Sequence, residues 1–181
     1  VSSLTVYQEI KKNNPEVLKA LQDGFHYHRF GEQEPDCPEV TPWRVPVFSE
    51  SERKLSCRYV KEFVEIAADE DPNSALSDEQ KEALRVFEST TQREDLRLTF
   101  TLQPGETIFA NNYTVLHART AFTNHPERKR ELLRLWLTAT PTRPVAKDVF
   151  LYERAHNGGE HGIVPQPGQI PSFASRFDQK N

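Results

Sequence analysis

The chain has no methionine and only two cysteines among its 181 residues. Cys37 and Cys57 form no CxxC pair and are too few for a disulfide scaffold, so they read as reduced thiols. Without a methionine the sequence does not open on an initiator, and Val1 reads as a processed end or the edge of a longer chain. No stretch approaches the roughly 20 apolar residues that cross a bilayer, and the polar N-terminus lacks a secretory pattern. The expectation is a cytoplasmic protein with no membrane partner. Positive charge is not in excess either: 23 Lys and Arg against 27 Asp and Glu leave a net charge of −4, which argues against a basic nucleic-acid groove. GxSxG, P-loop and dinucleotide-glycine patterns are all missing.

What is present is aromatic. The 36% hydrophobic share is low, but 11 Phe, 5 Tyr and 2 Trp are too many for a disordered chain. A single folded unit with long loops follows from that balance. Thr5 with Gln8 fits a capping box, with Val6, Tyr7 and Ile10 at helical spacing. Asn14 before Pro15 reads as the N-cap of a second helix that carries Val17, Leu18 and Leu21 and stops at Gly24. Phe25, Tyr27 and residues 43–48 favour extended chain, with His26 and His28 as solvent-facing imidazoles of an ordinary strand. Residues 55–60 continue as strand or lead into a helix through Phe63, Ile66 and Ala67. The Ser77 to Gln80 box opens a clearer helix, with Ala83, Leu84 and Phe87 facing inward.

From residue 95 the period changes to two. Leu96, Leu98, Phe100 and Leu102 alternate with Arg97, Thr99 and Thr101, the pattern of a half-buried antiparallel strand. A turn at Pro104-Gly105 then leads to a second strand over 107–110. The fold class expected is mainly β with flanking helices (α+β): three helices, then an antiparallel region of sandwich or barrel type. Beyond residue 140 lie four of the seven glycines and five of the thirteen prolines, so 141–181 is expected to be an irregular arm packed on the same body, pinned by Phe150 and Tyr152.

The most apolar segment, 131–140, follows a polar loop. As a strand it places Arg130, Leu132, Arg134 and Trp136 on one face and Leu133, Leu135 and Leu137 on the other, which describes a strand buried on both sides. Two arginines four residues apart then sit roughly 13 Å apart, pointing into an enclosed space. Buried guanidinium groups need anionic partners, and the planar fork suits a carboxylate. His117, ending a neighbouring strand, offers an imidazole, the commonest biological metal ligand. Two readings stay open on spacing alone: a metal at His117 with anionic ligands at the arginines, or a core histidine with arginines bridging to the protein's own acids.

The run PGETIFANNYTVLHARTAF, followed by Arg130 and Arg134 in RELLRLWL, resembles the C-terminal signature of the taurine dioxygenase and 2,4-dichlorophenoxyacetate dioxygenase family. Those are Fe(II)- and 2-oxoglutarate-dependent oxygenases of double-stranded β-helix, or jelly-roll, fold. SSLTVYQEI, RVPVF and LSCRYV are similar to family segments too. The resemblance implies that His117 is the distal iron ligand, a metal-binding and catalytic residue. It implies that Arg130 holds the far carboxylate of the cosubstrate 2-oxoglutarate and that Arg134 faces the same cosubstrate or an anionic small-molecule substrate. It also implies that 1–140 form the C-terminal part of one oxygenase catalytic domain, incomplete at its N-terminus.

The family's other two iron ligands stand upstream as H-x-D or H-x-E, and nothing between Val1 and Leu116 supplies that motif. His26-Tyr27-His28 has no carboxylate at the third place, and His125-Pro126-Glu127 falls downstream in a polar loop. The expectation is a chain that supplies one of three iron ligands and does not turn over alone. Three outcomes follow: a non-haem iron dioxygenase with its remaining ligands upstream of Val1, a non-catalytic jelly-roll binding or assembly module, or a homo-oligomer in which a partner chain completes the site.

Overall fold

Helix α1 (Ser3–Asn13) begins three residues before the predicted box, because the Ser2 hydroxyl accepts from the Thr5 N–H and takes the N-cap role. Val6 and Ile10 face inward from it. Pro15 then opens a 3₁₀ turn, Pro15–Val17, rather than the second helix itself; α2 (Leu18–Asp23) follows, buries Ala20 and Leu21, and stops at Gly24. Gly24 has φ +80°, and a Cβ there would meet the Val45 carbonyl oxygen at 2.4 Å, so the close approach of two backbones requires glycine. The computed structural model describes residues 1–123, 127, 131–137, 139 and 141–158.

Extended chain joins the layers. Phe25 bridges Val45 and His28 bridges Val40, each as an isolated antiparallel pair. Strands β1 (Phe48–Ser51) and β2 (Lys54–Cys57) form an antiparallel hairpin in the register Phe48 to Cys57, and it is the one sheet among the described residues. Glu52 and Arg53, both at positive φ, make its two-residue turn. Helix α3 (Lys61–Glu70) buries Phe63, Val64 and Ala67, and Asp71 ends it by accepting from the Asn73 N–H ahead of a 3₁₀ turn.

Helix α4 (Asp78–Gln92) starts where the sequence places it. Ser77 Oγ accepts from the Gln80 N–H and the Gln80 side chain accepts from the Ser77 N–H, a complete capping box. Ser77→Ala is expected to cost about 1 kcal/mol, read as a lower urea midpoint at unchanged m-value. Its inner face carries Ala83, Leu84 and Phe87 against α1 and α2. Phe87 meets Phe48 edge-on at 5.6 Å and Tyr59 at 4.9 Å, tying α4 to the hairpin and the chain beyond it.

The C-terminal stretch returns to this body. Trp43 Nε1 donates to the Phe150 carbonyl, the Tyr152 hydroxyl donates to Glu32, and Trp43 stacks on His156 at 3.9 Å. Helix α5 (Glu153–His156) follows, one turn long. No described helix is long and apolar enough to cross a membrane. Cys37 and Cys57 are both free.

The β region expected after residue 95 is where structure and sequence part. Residues 96–102 and 107–110 form no strand, and Leu98, Phe100, Ile108 and Phe109 are exposed. Period two states which side chains would share a face once a neighbouring strand and a covering layer are present. Neither is supplied here by another described residue. The helices and small antiparallel sheet therefore stand, and the larger β region does not form among these residues.

Candidate functional site

His117 sits one residue past a firmly anchored run of backbone. The Val1 ammonium donates to the Leu116 carbonyl at 2.8 Å, the Leu116 N–H returns a bond to Val1 at 3.0 Å, and the Ser3 N–H donates to Thr114 at 3.0 Å. From the hairpin, the Cys57 N–H donates to Tyr113 at 2.9 Å. Residues 113–116 thus lie between the N-terminus and β2, reached through a turn in which Asn111 Oδ1 accepts from the Tyr113 N–H. Leu116 packs on the main core. The imidazole of His117 itself is solvent-exposed.

Arg134 is also exposed. It falls in 131–137, which forms no strand, and Leu133, Leu135 and Trp136 are 85%, 83% and 74% exposed. The expected strand buried on both faces is thus corrected for the described residues, for the same want of a paired neighbour and a cover. Arg130 lies outside the described residues, as do His125 and Pro126.

Iron of the kind the resemblance implies needs three protein ligands on one side of the metal. His117 belongs to no described group of three metal-ligating side chains, so the residues described do not by themselves fit the ion. The group that does converge is His28, Glu39 and Glu70, with ligand atoms within 4.8 Å of one another. Here the reading of His28 as solvent-facing is corrected. It is 1% exposed, because its N–H donates to the Phe63 carbonyl at the start of α3 and its ring packs edge-on against Phe30 at 4.6 Å.

This cluster is not an iron triad in disguise. The Phe30 N–H donates to His28 Nδ1 at 3.1 Å, so a neutral ring carries its proton on Nε2 and has no lone pair there for a metal. Phe30 reaches that bond from the left-handed region, φ 54°, an unusual place for a bulky side chain. A sequence signal for this site is faint: two histidines flanking a tyrosine were visible, but not the distant Glu39 and Glu70.

Arg29 is the other residue missed. Its side chain is fully buried; Nε donates to the Pro38 carbonyl, Nη2 reaches the same oxygen, and Nη1 donates to the Leu151 carbonyl and to Glu153. The guanidinium lies 6.0 Å from the Trp43 ring. Burial pushes the Glu153 carboxyl up, and hydrogen bonds from Arg29 more than offset it, leaving the group below its ordinary range.

With the geometry in place, comparison with known proteins decides the lineage. The pattern that defines the "Taurine catabolism dioxygenase TauD, TfdA family" matches residues 1–136. The chain belongs to that family. Family relatives include FR-33289 synthase of Streptomyces rubellomurinus, 28% identical over 144 residues, covering 75% of this chain and 41% of that protein. Taurine hydroxylase-like protein SAT17 of Stachybotrys chartarum is 28% identical over 141 residues, covering 74% of this chain and 34% of that protein. Uridine-5'-phosphate dioxygenase of a Streptomyces species is 36% identical over 62 residues, covering 34% and 23%. The chain therefore spans well under half the length of these TauD/TfdA relatives.

Proposed function

We propose that the protein is a non-haem Fe(II)- and 2-oxoglutarate-dependent dioxygenase of jelly-roll fold that hydroxylates a small, anionic organic substrate. The family match across 1–136 carries this reading, since it spans His117, Arg130 and Arg134 in order and one relative is itself named a dioxygenase. In the balanced reaction, dioxygen supplies one oxygen atom to a substrate C–H bond and the other to succinate, while 2-oxoglutarate loses CO2. His117 would supply one of the metal's ligands. Arg130 would pair with the distal carboxylate of 2-oxoglutarate and Arg134 would meet the substrate's anionic group, since a guanidinium suits a carboxylate.

The test is succinate release by the full-length protein with Fe(II), ascorbate and 2-oxoglutarate. Formation above an iron-free blank supports the oxygenase. Its absence at saturating cosubstrate rejects it and favours a non-catalytic binding module, the reading that draws on the lack of described co-ligands around His117.

A further inference from the structure

We infer that the cavity beside His28 is a binding site for a small hydroxylated organic ammonium ion, held by the Glu39 and Glu70 carboxylates and by the His28 Nε2–H. The cavity measures about 610 Å³ and lies between the 38–42 segment and the end of α3. Neither His117 nor Arg134 lines it. His28 Nε2 is buried with no hydrogen-bond partner. It stands 3.1 Å from Glu70 Oε2 and 3.7 Å from Glu39 Oε2, yet makes a hydrogen bond to neither. With Nδ1 occupied by the Phe30 N–H, this orphan atom is a donor aimed into an acidic corner. An orphaned buried donor is costly, so a ligand that brings an acceptor to it gains that energy back.

The charge of the corner sets the rest of the ligand. Glu70 is the last residue of α3, where the terminal carbonyls add partial negative charge. The Asp71 carboxyl beside it is held ionised by the Asn73 N–H and the Ser74 hydroxyl, which lower it below its ordinary range. An anion is therefore repelled, whereas an ammonium is attracted and donates to carboxylates that can each accept several bonds. A bare divalent metal uses the carboxylates but leaves the Nε2 proton pointing at a cation. A hydroxyl one or two carbons from the ammonium satisfies the donor instead, and Pro38, Val40 and Pro42 line the wall where its alkyl part would rest.

Titrating the full chain with ethanolamine at pH 7, followed by the ¹⁵N and ¹H resonances of the His28 imidazole, tests this. The expected result is a saturable shift with Nε2 still protonated and half-saturation in the millimolar range. Ethylammonium, lacking the hydroxyl, should bind about five-fold more weakly, the worth of one hydrogen bond. The Glu39→Gln/Glu70→Gln variant should bind at least ~10-fold more weakly while its circular dichroism stays unchanged, since both side chains are largely exposed. Three results overturn the inference: no saturable shift, equal binding of tetramethylammonium (charge attraction without N–H donation), or Zn²⁺ binding that strips the proton from Nε2.

Discussion

Arg29→Met is expected to lose about 3–5 kcal/mol of folding stability, the cost of breaking a buried ion pair from one side. The guanidinium is fully enclosed and joins two distant pieces of chain: the Pro38 carbonyl on one side, the Leu151 carbonyl and Glu153 on the other. Methionine matches much of the stem but donates nothing, so two carbonyls and a carboxylate 21% exposed lose their partner together. Urea melts should show the lower midpoint, and limited proteolysis should cut first near residue 150, where the arm is released.

A pH series separates this from simple loss of packing. The folded Glu153 carboxyl lies below its unfolded value near 4.5, so its ionisation contributes stability above that pH and the contribution is lost as pH falls through the folded value. Wild-type stability should therefore drop on acidification below about pH 4.5, and the Arg29→Met variant should drop less steeply because the depression is gone. An equal slope in both proteins would show that the Arg29 contact does not set the Glu153 ionisation.

Arg29 also shows which parts of this molecule a sequence can disclose. The α4 cap was legible because its two hydrogen bonds join residues three apart, and the Gly24 stop because left-handed backbone favours one residue type. The burial of Arg29 and His28 was not legible, since Phe63, 35 residues from His28, and Leu151 and Glu153, 122 and 124 residues from Arg29, decide it. A histidine alternating with tyrosine looks the same whether its strand faces water or the start of a helix.

The β pattern after residue 95 shows the converse limit. Alternation at 96–102 and the apolar run at 131–137 are strong local signals, but they specify faces rather than neighbours. Leu98, Phe109, Leu133, Leu135 and Trp136 stand exposed among the described residues. Side chains of that kind lack the covering layer that the alternation presupposes. The family match lies across the same stretch, so the residue order that defines the lineage is retained where these described neighbours do not bury it.

Variants at His117, Arg130 and Arg134 should separate three roles that the family resemblance bundles together. Arg130→Ala is expected to raise the KM for 2-oxoglutarate ~30-fold or more, because truncating one side of a desolvated charge pair costs about 2–5 kcal/mol. Arg130→Lys should recover only part of this, keeping the charge but losing the second parallel hydrogen bond. Arg134→Ala should leave 2-oxoglutarate saturation nearly unchanged and raise the KM of the primary substrate instead. His117→Ala should behave differently from both, with succinate release falling by at least ~100-fold at every 2-oxoglutarate concentration, because excess cosubstrate cannot replace a metal ligand. If His117→Ala responds to added 2-oxoglutarate, or if Arg130→Ala saturates like wild type, the assignment of ligand and clamp is wrong even though the family membership stands.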